Sequence, residues 1–235
     1  MQTIAIVGAT GAVGRHVVRH ALSQNFKVRA QARDPQKLRT ILSDIGVKCD
    51  DDDIQQKLEI VEGDVTSVDS IKNLICNPTN EVSFIISCVG NVSGNKEKVV
   101  EVGTRNLIQV IEEMKVDTKP RLCYISSIGC NESFHQMKKL SWVFAYLIKP
   151  HMLKSTFIDL EKAEKAAFGK DFVIIARPPG LKNSKETGRF KFVNEKETAL
   201  GSKSNISRKD VALALLSLVD NHDWDGKPVS ILPVA

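Results

Sequence analysis

The turn that begins at Gly8 limits the fold of this chain more than any other feature of the sequence. An apolar run, TIAIV, is followed at once by Gly8, Gly11 and Gly14, and then by a segment with helical spacing. In a strand–turn–helix unit these glycines allow a sharp exit from the strand, close approach of a ligand to the backbone, and close packing of the helix on the sheet. Because free N–H groups at a helix start attract anions, the pattern predicts a dinucleotide site rather than an accidental tight turn.

Strand and helix patterns alternate over most of the chain. Helical spacing is present at 12–24 and 97–114, between short apolar runs that have the composition of strands covered on both faces. The predicted strands are 3–8, 27–32, 58–63, 83–90, 121–127 and 172–178. Such alternation predicts an α/β fold, a Rossmann-type doubly wound parallel sheet with helices on both faces.

The same pattern predicts one domain over residues 1–235. The cofactor half would cover about 1–130, and the substrate-side elements about 131–205. We expect no signal peptide, because residues 3–7 already have the pattern of a core strand.

Composition excludes several functional classes. The net charge is +5, with 33 basic and 28 acidic residues mixed along the chain, so we expect no nucleic-acid partner. The five cysteines are odd in number and match no zinc pattern, which predicts reduced thiols and a cytoplasmic protein. The longest apolar stretch, 140–153, is interrupted by Lys149 and Pro150 and is too short to span a membrane. We interpret the acidic run 50–53 as a solvated loop and predict no metal site.

The end of the second predicted strand indicates which dinucleotide is bound. An NAD site usually carries Asp or Glu there, whereas this chain has Gln31, Ala32 and Arg33, with Lys37 one helical turn later. A guanidinium and an ammonium suit a 2′-phosphate, so we predict NADP(H). Asp34 would cap the helix that follows. The alternative is that these cations lie on the surface without a ligand.

Four motifs, GATGAVGR, ARDPQKL, EGDV and YISSIG, resemble those of atypical short-chain dehydrogenases/reductases. The likeness is closest to the NAD(P)H-binding group that includes the biliverdin IXβ reductase–flavin reductase proteins and the NmrA-like sensors. Segments 176–190, 206–219 and 223–231 resemble the closing segments of that group, so the resemblance covers nearly the whole chain.

The resemblance implies a set of dinucleotide contacts, taken over position by position. The glycine turn would hold the pyrophosphate, the region after the third strand the adenine, and the loops after the later strands the nicotinamide side. The implied cofactor-binding residues are Gly8, Thr10, Gly11, Ala12, Val13, Gly14, Arg33, Lys37, Asp64, Val65, Cys88, Val89, Gly90, Ser126, Arg177, Pro178 and Pro179.

The sequence departs from the family at the proton relay. Most short-chain dehydrogenases reduce carbonyls with a Tyr-x-x-x-Lys pair, in which the lysine lowers the pKa of the tyrosine. This chain has two tyrosines. Tyr124 lies within a predicted strand, and Tyr146 precedes Lys149 by three residues, a spacing that shares a helix face. Pro150 disturbs a helix at that point, so Tyr146 is either a displaced catalytic residue or part of an apolar wall.

Three residues are candidates for catalysis: Ser127, Tyr146 and His151. Ser127 ends the fifth predicted strand, where it would orient the nicotinamide or satisfy backbone groups. His151 adjoins the apolar stretch and is a better proton-donor candidate than His135, although a surface position is the simpler interpretation of both. His16 and His20 have a metal-binding spacing, but with no third ligand evident we expect them on the solvent side.

These observations favour an NADPH-dependent reductase of a planar conjugated small molecule, such as a flavin, a quinone or a tetrapyrrole. Such acceptors take hydride at a ring atom or bridging carbon and a proton from water, so positioning alone supplies much of the catalysis. The alternative is a non-catalytic NADP(H)-binding redox sensor or scaffold that acts through a protein partner. A sugar-nucleotide epimerase fits less well, because the C-terminal portion is short and the Tyr-x-x-x-Lys pair is absent.

Overall fold

The fold is known from a computed structural model. It describes residues 1–76, 81–90, 98–116, 119–141, 145–146, 149–194 and 204–234. The strands are β1 (Thr3–Val7), β2 (Lys27–Ala32), β3 (Leu58–Glu62), β4 (Val82–Ser87), β5 (Arg121–Ile125), β6 (Val173–Arg177), β7 (Gly180–Lys182), β8 (Phe190–Val193), β9 (Asn205–Ser207) and β10 (Pro228–Pro233). The helices are α1 (Gly14–Ser23), α2 (Pro35–Asp44), α3 (Asp52–Lys57), α4 (Val68–Ile75), α5 (Val99–Glu113), α6 (Phe134–Leu140), α7 (Lys149–Met152), α8 (Lys154–Ala167) and α9 (Arg208–Ser217).

A largely parallel sheet forms the centre of the molecule. Its strand order is β3-β2-β1-β4-β5-β6-β10-β8, and β8 is the antiparallel edge strand. The short strands β7 and β9 pair separately. The connection reverses direction between β1 and β4, which is the switch point where open α/β sheets bind ligands. The predicted Rossmann-type fold is confirmed, and β1 to β6 overlap the six predicted strands with small differences at their ends.

Two apolar layers cover the sheet, as strands buried on both faces require. In β1, Ile4 and Ile6 face the layer formed by α1, α2 and α9, whereas Ala5 and Val7 face the layer formed by α4, α5 and α8. Every residue of β1 is buried. The central strand therefore fixes the position of the turn that follows it.

Two of the sequence expectations are wrong. The acidic run is not all loop, because Asp51 accepts a hydrogen bond from the amide of Asp53 (3.0 Å) and caps the start of α3. Negative side chains stabilise a helix start, which explains the fold of this run. His20 is buried and His16 is half-buried instead of lying on the solvent side, because α1 packs against α9 along this face.

Candidate cofactor site

The glycine turn after β1 is shaped by close backbone contacts. Gly8 has φ +74°, and a Cβ there would lie 2.8 Å from the carbonyl carbon of Cys88 at the end of β4. A Cβ on Gly14 would lie 2.2 Å from the carbonyl oxygen of Gly8. The amide of Gly11 donates to that same oxygen at 2.9 Å. Gly8 and Gly14 are therefore required for the first turn of α1 to sit directly on the end of β1.

An open cleft of about 670 Å³ lies beside this turn. The ends of β1, β2, β3 and β4 and the first turn of α5 form its walls. Its lining residues are Val7, Gly8, Thr10, Gly11, Gln31, Ala32, Arg33, Gly63, Asp64, Val65, Thr66, Cys88, Val89, Gly90, Lys98, Val99 and Val102. A glycine-lined cleft next to a helix N-terminus fits the pyrophosphate of a dinucleotide.

Nine of the predicted cofactor-binding residues line this cleft. They are Gly8, Thr10, Gly11, Arg33, Asp64, Val65, Cys88, Val89 and Gly90. Three more lie beside it in the glycine turn: Ala12 and Val13 directly precede α1, and Gly14 is its first residue. The structure thus brings the predicted pyrophosphate and adenosine residues together, although their contacts with a cofactor stay predictions.

Arg33 lies at the mouth of the cleft. Its side chain is 82% exposed, and its guanidinium is 3.9 Å from Oδ2 of Asp64. The other oxygen of Asp64, Oδ1, accepts hydrogen bonds from the amide and the hydroxyl of Thr66, at 2.8 and 2.7 Å. The Thr66 amide, followed by its hydroxyl and by Arg33, lowers the pKa of Asp64 despite partial burial. The cleft therefore holds a fixed carboxylate beside an extended, exposed guanidinium.

Neighbouring polar residues have structural roles around Arg33. Gln31 is buried, and its side-chain amide donates to the carbonyl of Ser70 at 3.4 Å. Asp34 caps α2 as predicted, by accepting a hydrogen bond from the amide of Lys37 at 2.9 Å. Lys37 itself is exposed on α2 and does not line the cleft. Arg33 is thus the basic residue that the end of β2 contributes to the lining.

Arg15 and Cys88 stabilise the turn rather than offering reactive groups. Arg15 donates to the carbonyls of Gly11 (3.1 Å) and Thr10 (3.2 Å). The amide of Cys88 donates to the carbonyl of Val7 at 2.8 Å, which joins β4 to β1 where the cleft begins. Burial raises the pKa of the Cys88 thiol to about 12, so this thiol stays protonated at neutral pH.

The first turn of α5 supplies a wall of the cleft that the sequence did not predict. Lys98, Val99 and Val102 line it. The carboxylate of Asp159 in α8 accepts hydrogen bonds from the amides of Val100 (3.2 Å) and Glu101 (2.8 Å) at the start of this helix. The apolar stripe at 97–114 predicted the helix, but no local signal indicated that its first turn lines the same cleft as the glycine turn.

Two predicted cofactor residues belong to a buried polar cluster instead of the cleft lining. Arg177 donates to both oxygens of Glu164, at 2.9 and 2.7 Å, and Ser126 donates to one of them at 2.6 Å. Asn131 donates to the other at 2.7 Å. A buried carboxylate requires such partners, which explains why Arg177 and Ser126 face inward.

The remaining nicotinamide-side candidates lie at the ends of β5 and β6. Ser127 is half-buried, and its hydroxyl donates to the carbonyl of Ile128 at 3.1 Å. The amide of Ile128 donates to the carbonyl of Pro178 at 3.0 Å, which fixes the two loops to each other. Pro178 and Pro179 are both buried. These residues are next to the cleft in strand order but do not line it.

The structure does not bring Tyr146 into a described pair with Lys149. Tyr146 is 53% exposed, and its ring meets Phe134 edge-on with 6.1 Å between ring centroids. The ammonium of Lys149 donates to the carbonyl of Gly129 (2.6 Å) and to Glu161 (2.9 Å). Lys149 is therefore held by partners other than the phenol.

The other proton-transfer candidates are divided between the surface and the core. His151 lies on α7 and is exposed. His135 is half-buried on α6, with Nδ1 2.7 Å from the carbonyl of Glu132. Tyr124 is buried within β5, and burial raises the pKa of its phenol well above the usual value.

Within the described ranges, no group of three or more His, Cys, Asp or Glu residues is arranged to hold a metal ion.

A profile of the NAD(P)H-binding family matches residues 8–222. The chain belongs to the NAD(P)H-binding family. The match starts at the first glycine of the turn and covers the cleft lining from that residue onward. It confirms the predicted NAD(P)H-binding group, and together with the oxidase and the oxidoreductase among the relatives it bears out the predicted class of NAD(P)H-dependent oxidoreductase.

Individual relatives of this family member are distant. The chloroplastic protein TIC 62 of Arabidopsis thaliana is 30% identical over 142 residues, which cover 55% of this chain and 21% of that protein. The chain thus spans about a fifth of the length of that relative. Oxidoreductase GME11367 of Pestalotiopsis microspora is 26% identical over 244 residues, which cover 99% of this chain and 86% of that protein.

Among solved structures, the anaerobilin reductase ChuY of Escherichia coli O157:H7 has the same fold. It superposes with a TM-score of 0.71 at 19% identity, covering 99% of this chain and 97% of that one.

In the part of the chain that the structure describes, no helix has the length and apolar character needed to cross a membrane. The cytoplasmic location predicted from the cysteines stays a prediction.

Proposed function

We propose that the protein is an NADPH-dependent reductase that transfers hydride to a planar conjugated acceptor. The observation that carries this proposal is the position of Arg33 at the mouth of a glycine-lined cleft. The cofactor supplies the hydride, and the acceptor provides a ring atom or bridging carbon to receive it. A proton from water then completes the two-electron reduction.

The phosphate preference follows from the charges at the end of β2. In an NAD site a carboxylate at this point accepts a hydrogen bond from the ribose 2′-OH. Here the strand end carries Gln31, which bonds to Ser70, and the exposed guanidinium of Arg33 follows it. A guanidinium forms two parallel hydrogen bonds to a phosphate, so this end of the cleft favours NADPH over NADH.

The choice of acceptor follows from the proton chemistry of the described residues. Reduction of a ketone needs an acid at the carbonyl oxygen, usually a tyrosine activated by a lysine. The side chain of Tyr124 is buried in the apolar layer that includes α5 and α8, and the ammonium of Lys149 bonds to Gly129 and Glu161. A conjugated ring system avoids this requirement because it delocalises the charge until water protonates it. The shared fold of the anaerobilin reductase ChuY supports including a tetrapyrrole among the acceptors to test.

Binding experiments test the cofactor half of the proposal. Equilibrium titration of the protein with NADPH and NADH should show preference for NADPH. Arg33→Ala should weaken NADPH binding at least about tenfold and leave NADH binding unchanged, since a charge-assisted hydrogen bond is worth roughly 1.5–3 kcal/mol. Arg39→Ala is the matched control, because Arg39 is an exposed arginine on α2 that does not line the cleft. Equal binding of both cofactors by the wild-type protein would contradict the NADPH assignment.

Turnover experiments test the acceptor half. With NADPH present, FMN, a quinone and biliverdin are each added while cofactor absorbance is followed. Oxidation of NADPH above the rate without protein supports the reductase. Tight binding without oxidation by any of the three overturns it and favours the redox-sensor alternative. That alternative requires unequal affinities for NADP⁺ and NADPH, because a ligand shifts only the state that it binds more tightly.

A further inference from the structure

A second cation lines the cofactor cleft besides Arg33. Among the described lining residues, Arg33 and Lys98 carry positive side chains and Asp64 carries the negative one. Lys98 is exposed and immediately precedes α5. The family match shows that the chain belongs to the NAD(P)H-binding proteins and assigns no role to this lysine.

The start of α5, beside Lys98, is poorly suited to bind an anion through its own backbone amides. The amides of Val100 and Glu101, which such a site would use, donate to the carboxylate of Asp159. Asp159 is buried, so its negative charge opposes the positive end of the helix dipole. The positive charge that α5 offers to the cleft is therefore the ammonium of Lys98.

Lys98 and Arg33 reach the cleft from different faces of the sheet. Arg33 precedes α2, whose Leu38 belongs to one apolar layer, and Lys98 precedes α5, whose Val100 belongs to the other. The glycine turn follows β1, which lies between β2 and β4 in the sheet. The two cations therefore line the cleft from elements that lie on opposite faces of the sheet, on either side of β1.

We propose that Lys98 binds the pyrophosphate of the cofactor, while Arg33 binds the 2′-phosphate of the adenosine ribose. The pyrophosphate is common to NADPH, NADH and ADP-ribose, whereas among these three the 2′-phosphate is present only in NADPH. The inference rests on the dinucleotide assignment within the proposed function, and it does not depend on any acceptor. In this proposal the second phosphate-binding cation is Lys98 and not Lys37, which lies outside the cleft lining.

Equilibrium titration of Lys98→Ala with NADPH, NADH and ADP-ribose tests the proposal. The expected result is a loss of about tenfold in affinity for all three ligands, the size of one charge-assisted hydrogen bond. Lys98→Arg should restore most of the affinity because it keeps the charge. Arg105→Ala is the control, since this substitution removes the same charge within α5, the helix that directly follows Lys98 in the chain, at a side chain that is 58% exposed and does not line the cleft. Thermal unfolding of each variant verifies that the fold is retained.

Each outcome decides the question. Unchanged affinity of Lys98→Ala for all three ligands would overturn the proposal, and so would a loss confined to NADPH, which would assign Lys98 to the 2′-phosphate. If Arg105→Ala loses as much affinity as Lys98→Ala, the loss is due to the change in net charge and not to contact with the pyrophosphate. That result would also overturn the proposal. If the wild-type protein binds NADPH but reduces no acceptor, the proposed reductase fails while this binding test remains valid.

Discussion

Glu164 receives two hydrogen bonds from the Arg177 guanidinium, at 2.9 and 2.7 Å, in the interior of the protein. Each of the two side chains is only 2% exposed. Ser126 and Asn131 donate to the same carboxylate. Glu164 therefore connects α8 to the ends of β5 and β6, where the nicotinamide-side loops begin.

Removal of Glu164 should strongly destabilise the protein. Glu164→Ala leaves the Arg177 guanidinium buried without its main partner, and breaking a buried pair in this way costs about 3–5 kcal/mol. Urea unfolding measures the change. Glu132→Gln is the control: Glu132 also contacts Arg177, at 3.2 Å, but its side chain is 53% exposed, so we expect a change below about 1 kcal/mol. If both substitutions lower the free energy of unfolding by a similar, small amount, Glu164 is not the main stabilising partner of Arg177.

Neutralisation of Asp64 should increase the preference for NADPH. Asp64 lies 3.9 Å from Arg33 and competes with a phosphate for its guanidinium. Asp64→Asn keeps an oxygen for Thr66 and removes the charge, so the ratio of NADPH to NADH affinity should rise up to about fivefold, the range of an exposed ion pair. Equilibrium titration with both cofactors measures that ratio. An equal loss of affinity for both would instead assign Asp64 to the adenine alone.

Gly14 should tolerate no side chain. A Cβ on Gly14 would lie 2.2 Å from the carbonyl oxygen of Gly8, so Gly14→Ala must displace the first turn of α1. We expect the affinity for NADPH to fall by an order of magnitude or more, together with a lower melting temperature. Gly46→Ala is the control, because Gly46 has φ +88° but open space around it. An alanine at this positive φ is strained by about 1–2 kcal/mol, so Gly46→Ala should lower the free energy of unfolding and leave NADPH binding unchanged.

Local sequence patterns were sufficient to predict β1 to β6 and the glycine turn, but not the strands β7 to β10. Hydrophobic period and composition are set by a few neighbouring residues, and Gly8 and Arg33 each follow a strand whose end is fixed by the parallel sheet. Asp64, which also lines the cleft, was implied by the family resemblance. Several boundaries differ by one or two residues, and the largest difference is in β4, which ends at Ser87 before the predicted end at residue 90. The backbone of Cys88, the next residue, passes close to Gly8.

Long-range contacts were not predictable from the same patterns. Ser126 meets Glu164 across 38 positions of the chain, so the sequence around Ser126 does not show that its hydroxyl faces the core. Lys98 lines the cleft because Asp159, in a different helix, holds the start of α5. In both examples a buried carboxylate on α8 sets the position of a distant segment, and one sequence alone does not show such pairings.

Mild acid should destabilise the interface between α1 and α9 through His16. Burial, followed by the positive charges of Arg19, Lys209, His20 and Arg15, lowers the pKa of His16 from 6.5 to about 4. Its Nδ1 is buried without a hydrogen-bond partner among the described residues. The folded protein therefore disfavours protonated His16, whereas the unfolded chain accepts the proton at an ordinary pKa.

The sign of the pH effect follows from these two pKa values. Between pH 6.5 and about 4 the unfolded chain binds more protons than the folded one, so stability rises with pH across this window. The contribution is fully present above pH 6.5 and is lost as the pH falls toward 4. Because His16 is only half-buried, we discount the shift and expect a loss of about 1 kcal/mol.

Urea unfolding of the wild-type protein, His16→Gln and His151→Gln at pH 7 and pH 5 measures this loss. His16→Gln removes the titrating group and should reduce the difference between the two pH values. His151→Gln, which changes an exposed histidine, should keep the wild-type difference. His20 also has a lowered pKa, chiefly through burial, while Glu186 at 3.0 Å opposes that shift. A pH dependence unaltered in His16→Gln would therefore assign the acid sensitivity to His20 or to groups elsewhere in the protein, and would contradict the prediction for His16.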